Sequence, residues 1–419
     1  MRVLVCSERS LVGPPGGGRL LLRALLRELV HRHEIRLICL EPMDASEMWM
    51  QAVSVRVVAG RGRRGNPSRW TRDHPGDSNW WSPTGLYPGR VGRVARAVAN
   101  GRPMYVDQLA RRLQPTLVDE LQAFRPDLVH VAGGGLAALG RSLEAVPSVV
   151  VPQDAEYKNV ESQALEYAGL RRRLLLGEAK RMLGFEGKEY SRFTRVVVQS
   201  YEDRQALQSA NPHMAVAVIP NGVDTAFFAP PTFRERSSTI VFHGIMSYAP
   251  NVLAADILAR KVLPLVQQRH PEARLAIVGR APDPKIRALE RIAGVTVTGE
   301  VEDVRSWLKT GRVYVFAKFT GTGIANKLLE AMACGMPCVA TPLALRGISP
   351  TPGRDILVAR GAREIAEQVQ RLLDDDALAG SLGEAARRYA ETNHDWRRAG
   401  RAYERVYESA VQAHAESTA

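Results

Sequence analysis

The sequence of 419 residues has no long hydrophobic run, which excludes a membrane-spanning helix. Its most apolar stretch, RLLLRALLRELV, carries an arginine every few positions, whereas a span needs about 18 uninterrupted apolar residues. The N-terminus MRVLVCSERS lacks the apolar core of a signal peptide, so we expect a cytoplasmic protein. Cysteine is scarce, and the sequence around each one favours reduced core thiols over disulfides or a zinc site. The four are Cys6, Cys39, Cys334 and Cys338.

Lysine is scarce as well, since 49 of the 57 cationic residues are arginine and only 8 are lysine. The formal net charge of +13 is concentrated, because residues 56–112 hold 12 arginines against three aspartates and so carry +9. Apolar residues make up 45% of the chain and charged residues 24%, values that exclude a disordered, collagen-like or coiled-coil protein. At this length we expect two domains of about 200 residues each.

The chain begins with the alternation of strand and helix that is typical of α/β proteins. Strand RVLVC, a Gly/Pro loop, an apolar-periodic helix over residues 19–33 and strand EIRLICL form one βαβ unit. VSVRVVA adds a strand, and two helical stretches precede the apolar segments DLVHVA and PSVVVPQ. A helical segment over about 156–193 leads to RVVVQS and AVAVIP. These elements predict one doubly wound sheet.

A second doubly wound sheet is predicted after a proline-containing linker at residues 227–238. Its strands are TIVFHG, RLAIVG, VTVTG, RVYVFA and PCVAT, and helices begin near Asn251, Asp283, Asp303 and Asn326. Helical segments follow over about 362–412. We predict domains over 1–226 and 239–395, and a C-terminal helix over 396–419 that packs back toward the first domain. The carboxyl ends of the two sheets would face a central cleft, where open α/β sheets bind ligands.

The strongest local signal is FAKFTGTGIANKLLEAMACGMPCVAT at residues 316–341, where a strand ends in a Gly/Thr loop that opens into a helix. Such a helix N-terminus presents free N–H groups and a positive dipole end, which suit phosphate oxygens. Lys327 in the first turn can add positive charge, and Glu330 can accept hydrogen bonds from a ribose diol. The alternative is a solvated Lys327 and a Glu330 that only favours the helix N-terminal region.

A second glycine-rich loop, GPPGGG at residues 13–18, lies between the first strand and the first helix. It fails the dinucleotide fingerprint because Leu21 occupies the position of a required glycine, although Glu41 ends the second strand where a ribose-binding acid would lie. A Rossmann oxidoreductase is therefore a weak alternative, and a Walker loop is absent. The loop is either a permissive turn or a place where a ligand approaches the backbone closely.

KLLEAMACGMPCVAT with its glycine-rich loop, together with IPNGVDTAFF, resembles the retaining GT-B glycosyltransferases that carry two glutamates eight positions apart. The runs FHGIMSYAPN, LAIVGRAP and GVTVTGEVEDVR are similar to bacterial sugar transferases associated with exopolysaccharide and exosortase systems. The resemblance covers most of the chain and is densest over 239–341. It implies two Rossmann-like domains and transfer of a hexose from a nucleotide diphosphate donor, UDP-linked, to a hydroxyl acceptor with retention. No cofactor or metal is implied.

Residue by residue, the resemblance implies a donor site made mainly by the second domain. Glu330 would hold the ribose and Lys327 would flank the diphosphate. The remaining donor-site residues of this domain would be Gly244, Arg280, Gly299, Glu300, Gly323, Ile324, Ala325 and Asn326. From the first domain, Gly16, Gly17 and Gly18 would face the donor phosphate and the acceptor.

Two departures from the family pattern lie in the second domain. Thr322 occupies the place of the first glutamate of the pair, so a carboxylate usually placed at the transferred sugar is missing. The Arg and Lys that many relatives have after the glycine matching Gly244 are replaced by the stretch IMSYAPN. Positive charge at the diphosphate must then come from Lys327, Arg280 and Lys318.

A third departure lies in DLVHVA, where relatives often have a second histidine at the position of Ala132. His130 is left as a weak catalytic candidate, and it can equally be an ordinary strand residue. Asp154 also follows a strand and could touch the acceptor. The resemblance implies front-face transfer, in which fixed dipoles and cations stabilise the leaving diphosphate and no protein base is needed.

Residues 56–112 include a Gly/Pro/Ser-rich loop that holds several arginines together with Trp70, Trp80 and Trp81. Such a loop can bind nucleic acid, an anionic membrane face or an anionic acceptor, or it can be solvated with its tryptophans packed underneath. In GT-B proteins the matching region lines the acceptor side, so the resemblance implies an acceptor with phosphate or carboxylate groups. One form of this hypothesis is an acceptor that is linked to a lipid. The acceptor-side residues would be Arg61, Arg63, Arg64, Trp80 and Trp81.

Two other functions remain open from the sequence alone. A nucleotide-sugar epimerase or hydrolase could use the same two domains, and it would need no acceptor. A basic nucleic-acid-binding protein is supported only by charge and tryptophan content, and no recognised nucleic-acid motif is present. We expect a nucleotide-sugar donor as the main partner, with peripheral contact to the inner membrane face as a further option.

Overall fold

A computed structural model describes residues 1–8, 11, 17–40, 47–58, 103, 106–165, 167–232, 237–321 and 326–418. The chain divides into two compact units: unit 1 is Met1–Ile219 with Ala399–Ala419, and unit 2 is Pro220–Arg398. Residues 220–226 and the linker predicted at 227–238 are therefore grouped with unit 2. Within the described ranges, no helix is long and apolar enough to cross a membrane.

Unit 1 contains a seven-stranded parallel sheet in the order β3-β2-β1-β4-β5-β6-β7. Its strands are β1 (Arg2–Ser7), β2 (Glu34–Cys39), β3 (Val53–Val57), β4 (Leu128–Ala132), β5 (Ser148–Val151), β6 (Arg195–Val198) and β7 (Val216–Val218). The central strands are continuous apolar runs, because helices cover both faces of a parallel sheet. The sheet predicted for the first half is confirmed.

The helices of the first half are α1 (Gly17–Leu29), α2 (Val106–Phe124), α3 (Glu156–Ala164), α4 (Gly169–Glu189) and α5 (Tyr201–Ala210). Short 3-10 helices span Met48–Ala52, Gly134–Ser142 and Tyr190–Arg192. The single helical segment predicted over about 156–193 is wrong, since α3 and α4 are separate helices. Gly169 has a φ of +62°, which a right-handed helix cannot continue through. The helical stretch predicted before α2 lies outside the described residues.

Unit 2 repeats the architecture with a six-stranded parallel sheet in the order β10-β9-β8-β11-β12-β13. Its strands are β8 (Thr239–His243), β9 (Arg274–Val278), β10 (Val295–Val297), β11 (Val313–Phe316), β12 (Cys338–Ala340) and β13 (Leu357–Val358). Its helices are α6 (Ala249–Ile257), α7 (Leu263–Gln267), α8 (Pro284–Arg287), α9 (Val304–Thr310), α10 (Asn326–Ala333), α11 (Ala362–Asp374) and α12 (Asp376–His394). A π-helical turn (Leu258–Val262) joins α6 to α7, and 3-10 helices span Ala288–Arg291 and Pro342–Leu345. The predicted α/β fold with two doubly wound sheets is confirmed.

Aspartate side chains begin several helices of unit 2. Asp283 accepts a hydrogen bond from the Lys285 N–H at 2.8 Å, and Asp303 accepts one from the Arg305 N–H at 2.8 Å. Each carboxylate satisfies an N–H group that the first helical turn leaves unpaired. Asp375 caps α12 in the same way, so the segment predicted over 362–412 consists of separate helices.

The chain ends in α13 (Trp396–Thr418), whose residues from Ala399 onward belong to unit 1. Tyr403 and Tyr407 on this helix are fully buried. The Glu404 carboxylate lies 2.9 Å from the Arg32 guanidinium and 3.0 Å from His33 Nε2, in the turn that follows α1. The helix is therefore part of the core of unit 1.

The strand order reverses beside the first strand of each sheet, between β1 and β4 in unit 1 and between β8 and β11 in unit 2. Ligands of open α/β sheets bind at the carboxyl ends of the strands at such switch points. The four cysteines lie in the cores, buried and without disulfides. The carboxyl edge of each sheet is therefore the place to look for function.

Candidate functional site

The switch point of unit 2 holds an open pocket between the ends of β8 and β11. Its polar lining includes two cations, the buried Lys318 after β11 and Lys327 in the first turn of α10. The lining residues are Phe242, Tyr248, Pro250, Asn251, Ala254, Phe316, Ala317, Lys318 and Lys327. Two ammonium groups in one concave pocket suit a ligand with several negative charges.

Glu330 points from α10 toward the last residue of β8, His243. His243 Nε2 lies 2.8 Å from Glu330 Oε2, and the histidine side chain is 7% exposed while that of Glu330 is 20% exposed. His243 Nδ1 is buried and has no hydrogen-bond partner among the described residues. The histidine ring also packs against Tyr314 at a centroid distance of 5.3 Å. Glu330 is thus held at the pocket edge by a residue that the sequence analysis missed, although FHG marks it at a strand end.

Glycines let the turns after β8 and β9 approach each other and Lys327. A Cβ atom at Gly244 would lie 2.8 Å from both Asn251 Nδ2 and Lys327 Cε. Gly279 has a φ of +147°, and a Cβ there would lie 1.8 Å from the Gly244 carbonyl oxygen. A larger residue at Gly279 would force the two turns apart, and one at Gly244 would displace the Asn251 and Lys327 side chains. The structure therefore brings the predicted residues Gly244 and Lys327 into contact and adds Gly279.

The turns after β9 and β10 extend the same edge. The Gly279 N–H donates to the Gly299 carbonyl at 3.1 Å, and Gly299 has a φ of +68°. The Arg280 carbonyl accepts a hydrogen bond from the Met246 N–H at 2.9 Å, which ties this turn to the one after β8. Glu300 is exposed next to Gly299. The predicted residues Arg280, Gly299 and Glu300 thus lie along one edge of the sheet.

The motif IPNGVD contacts the start of α10. Asn221 Nδ2 donates to Asn326 Oδ1 at 2.9 Å, and the Asn221 carbonyl lies 2.9 Å from His394 Nδ1. A Cβ at Gly222 would lie 2.6 Å from the Trp396 ring, so this position requires glycine. The predicted residue Asn326 is therefore fixed from a distant part of the chain. The predicted residues Thr322, Gly323, Ile324 and Ala325 lie outside the described residues.

The switch point of unit 1 forms a second pocket at the ends of β1, β4 and β5. Its polar lining consists of Ser7, Glu8, Arg19, His130 and Gln153, beside Gly18 and Tyr403. A Cβ at Gly18 would lie 1.3 Å from Gln153 Nε2, so a larger residue would displace the Gln153 side chain from the pocket lining. Of the predicted loop, Gly17 begins α1, Gly18 lines this pocket, and Gly16 lies outside the described residues.

His130 lies in β4 and is 1% exposed. Its Nδ1 is 2.6 Å from the Tyr407 hydroxyl oxygen, and the two rings meet edge to face. Burial lowers the pKa of His130 to about 4, so the imidazole is neutral at neutral pH. The neighbouring α13 thus fixes this histidine, and the bond joins residues 277 positions apart.

Asp154 follows β5 and belongs to a group of carboxyl groups at the start of α3. The Glu156 N–H donates to Glu186 Oε1 at 2.7 Å, and Glu186 is fully buried. Burial, and then the charge of Asp154, raises the pKa of Glu156 to about 7. Burial raises the pKa of Glu186 well above its usual range, with Glu156 adding to the shift. Sequence reasoning identified Asp154 but missed both glutamates, of which Glu186 lies in a helix with no distinctive pattern.

The predicted acceptor-side residues lie outside the described residues. They are Arg61, Arg63, Arg64, Trp80 and Trp81. At the described start of that segment, Arg56 lies 2.7 Å from Glu120 Oε1 on α2. The guanidinium of Arg36 on β2 lies 2.7 Å from the other oxygen of the same carboxylate. Part of the positive charge counted in residues 56–112 is thus balanced within unit 1.

Two parallel sheets of the same strand order, each with polar groups at its switch point, place the chain in the GT-B class of glycosyltransferase folds. A model of Glycosyltransferase Family 4 matches residues 15–227, and a model of Glycosyl transferases group 1 matches residues 237–375. The chain belongs to glycosyltransferase family 4.

The chain is similar to several known proteins. It is 28% identical over 221 residues to a D-inositol 3-phosphate glycosyltransferase of an Arthrobacter species, over 48% of this chain and 52% of that protein. It is 25% identical to a GDP-mannose-dependent monoacylated alpha-(1-6)-phosphatidylinositol monomannoside mannosyltransferase of Corynebacterium glutamicum. That match covers 48% of this chain and 58% of the other protein. Anabaena HepE, whose structure was solved with UDP and glucose, shares the fold with a TM-score of 0.63 at 14% identity, over 98% of this chain and 100% of that one. The chain spans about half the length of these curated relatives.

Proposed function

We propose that this protein transfers a hexosyl group from a nucleotide diphosphate donor, a UDP-sugar, to a hydroxyl acceptor with retention of anomeric configuration. The observation that carries the proposal is the arrangement at the unit 2 switch point. There Glu330, held by His243 at 2.8 Å, lies one helical turn after Lys327, which lines the adjacent pocket with Lys318. A carboxylate beside cations offers separate partners for a ribose diol and a diphosphate.

Each residue has a role in donor binding under this proposal. Glu330 accepts hydrogen bonds from the ribose hydroxyls, and His243 positions its carboxylate. Lys327, Lys318 and the N-terminus of α10 stabilise the diphosphate. Because Gly244 and Gly279 have no side chains, the ligand can approach the backbone of these two turns closely. The outer turns would contact the diphosphate or the base through Arg280, Gly299, Glu300 and Asn326, together with Gly323, Ile324 and Ala325.

The proposed transfer occurs on one face of the sugar. The bond from the anomeric carbon to the diphosphate breaks, and the acceptor oxygen forms its bond on the face that the diphosphate leaves. The acceptor proton passes to the departing phosphate oxygen, so no protein base is required. The buried, neutral His130 would then line the sugar side of the unit 1 pocket rather than exchange protons. Thr322 would offer a hydroxyl where relatives have a glutamate.

We propose an acceptor that carries phosphate or carboxylate groups. The names of two relatives include inositol 3-phosphate and phosphatidylinositol monomannoside, which are both anionic. The arginine-rich segment, with Arg61, Arg63, Arg64, Trp80 and Trp81, has the composition to bind such a group. Gly16, Gly17, Gly18 and Asp154 would complete the acceptor side in unit 1.

Product analysis tests the reaction. The protein is incubated without added metal with UDP-glucose, UDP-N-acetylglucosamine or GDP-mannose, with and without inositol phosphates or phosphatidylinositol as acceptors. The proposal predicts a glycosylated acceptor whose anomeric proton coupling shows retention. The product should be absent with Glu330→Ala and present with Glu367→Ala, an exposed glutamate of α11. Turnover of the sugar nucleotide without acceptor would instead indicate an epimerase or a hydrolase.

A further inference from the structure

Helices α3 and α4 form a helical hairpin in unit 1. A small cluster of Val160, Ala164, Leu175 and Ala179 holds the two helices together. The stretch that joins them and the first part of α4, residues 167–174, is partly or fully exposed. We call Leu165 and residues 167–174 the hairpin tip. Within the tip, Tyr167 packs against this cluster, whereas Leu165 and residues 168–174 are exposed.

The hairpin tip exposes leucines that nothing in the described chain covers. Leu165 and Leu170 are each 73% exposed and Leu174 is 59% exposed. These three leucines are among the eleven exposed large hydrophobic residues within the described ranges. Single exposed leucines are normal on a protein surface, but a cluster of them indicates an interaction site.

Arginines flank the leucines. At about 100° per residue, Leu170 and Leu174 lie about 40° apart on the surface of α4. Arg171 and Arg173 then lie about 80° to either side of the midline between the two leucines, and Arg172 lies on the opposite face. All three arginines are exposed, and none forms an ion pair with an acidic side chain of the described chain. Arg171 stacks on Tyr167 at 3.7 Å.

We propose that the hairpin tip docks on an anionic lipid surface. The leucines would enter the boundary between headgroups and acyl chains, and the arginines beside them would meet lipid phosphates. Arg171 and Arg173 are the arginines that flank the leucines, and the stretch holds one acidic residue, Glu166. This inference goes beyond the proposed transfer reaction and does not depend on the donor or the acceptor.

Charge favours a lipid surface over a second copy of the chain. In a two-fold symmetric dimer the same patch meets itself, so the arginines of one tip would face those of the other. Such like-charge contact opposes association, whereas lipid phosphates supply the opposite charge. The contact with lipid should therefore weaken as salt concentration rises.

Vesicle flotation of the full-length protein tests the docking without any donor or acceptor sugar. We expect binding to phosphatidylcholine vesicles that contain phosphatidylglycerol and little binding to phosphatidylcholine alone. The triple variants Leu165→Ser/Leu170→Ser/Leu174→Ser and Arg171→Gln/Arg172→Gln/Arg173→Gln should each lower the partition coefficient about 10-fold or more. The matched control for charge is Arg287→Gln/Arg291→Gln/Arg363→Gln, three exposed arginines of unit 2, which should bind as the wild type does.

A fluorophore at the tip distinguishes docking there from binding through the arginine-rich segment. The four native cysteines are buried, so Leu170→Cys can be labelled selectively with a polarity-sensitive dye. Anionic vesicles should shift its emission to the blue, and the same dye at Leu343→Cys in unit 2 should not shift. Wild-type binding with no shift at position 170, or unchanged binding by both triple variants, would overturn the proposal. Concentration-dependent dimerisation that the leucine variant abolishes would also overturn it, in favour of a second copy.

Discussion

The two units have the same strand order but fill their switch points differently. In unit 1, α13 packs against β4, where the Tyr407 hydroxyl bonds to His130 and both side chains are buried, and His130 also borders the pocket that Ser7, Arg19 and Gln153 line. In unit 2, the ends of β8 and β11 border an open pocket with Lys327, and Glu330 is partly exposed beside it. The comparison teaches that one fold can fix a histidine at one switch point through a distant helix and hold a carboxylate beside two lysines at the other. Donor chemistry belongs to unit 2 on this account.

The largest expected effect is that of Lys327→Ala in unit 2. Removing a cation that stabilises the leaving diphosphate should lower the transfer rate by about 10²- to 10³-fold. The matched control is Lys188→Ala, which removes an exposed lysine of α4 in unit 1 and should leave the rate unchanged. Initial rates at saturating donor measure both variants. Equal transfer rates for Lys327→Ala and the wild type would contradict the proposal that the switch point of unit 2 binds the donor diphosphate.

The carboxyl group of Glu156 makes the stability of unit 1 depend on pH. The pKa of this carboxyl group is raised from an ordinary value of 4.5 to about 7 in the folded chain. Folding therefore favours the protonated carboxyl group, and the stability of unit 1 falls as the pH rises from about 4.5 through 7. Glu156→Gln should therefore stabilise unit 1 by about 3 kcal/mol at pH 8 and have little effect near pH 4.5. Hydrogen exchange of the β5 and α3 amides measures the difference. A variant with the same pH dependence as the wild type would refute the assignment.

In unit 2, His243 should matter for the nucleotide more than for the fold. His243→Leu removes the partner that orients Glu330, and we expect nucleotide affinity to fall about 10-fold. His243→Gln can still donate to the carboxylate and should restore most of the affinity. Calorimetric titration with UDP measures both variants, with thermal unfolding as the control for folding. If Gln and Leu weaken binding equally, the histidine does not act by positioning Glu330.

Tyr407→Phe tests the buried contact between α13 and β4 in unit 1 and has the smallest expected effect. Loss of the hydroxyl leaves the buried His130 Nδ1 without its partner, which should destabilise unit 1 by about 1 kcal/mol. Nucleotide affinity should not change. Denaturant unfolding and UDP titration of the same preparation measure the two quantities. A fall in affinity comparable to that of His243→Leu would show that both edges serve the nucleotide.

Local patterns in the sequence were sufficient to predict most of the strands and helices of the fold. The apolar strand runs and the aspartates at helix starts, such as Asp283 and Asp303, act over a few residues, so the elements could be predicted from them. The break between α3 and α4 was missed because it depends on the backbone angle of one glycine, Gly169. The short β13 was missed because two residues carry no periodicity.

The candidate site was only partly predictable. Lys327, Glu330 and Gly244 fall in recognisable motifs, and the structure places them at one edge. The contacts that support them join distant positions, such as His243 with Glu330 across 87 residues. Side chains that meet only through tertiary packing leave no local pattern, and this also explains why the bond between His130 and Tyr407 was not anticipated.

The most direct test of the account is calorimetric titration of UDP, GDP, ADP and dTDP, without added metal, into the wild type and Glu330→Ala. We predict that UDP binds the wild type and binds Glu330→Ala at least about 10-fold more weakly, since the variant loses the acceptor for the ribose hydroxyls. If no nucleotide binds the wild type, or if the variant binds UDP equally well, the donor does not occupy the open edge of unit 2.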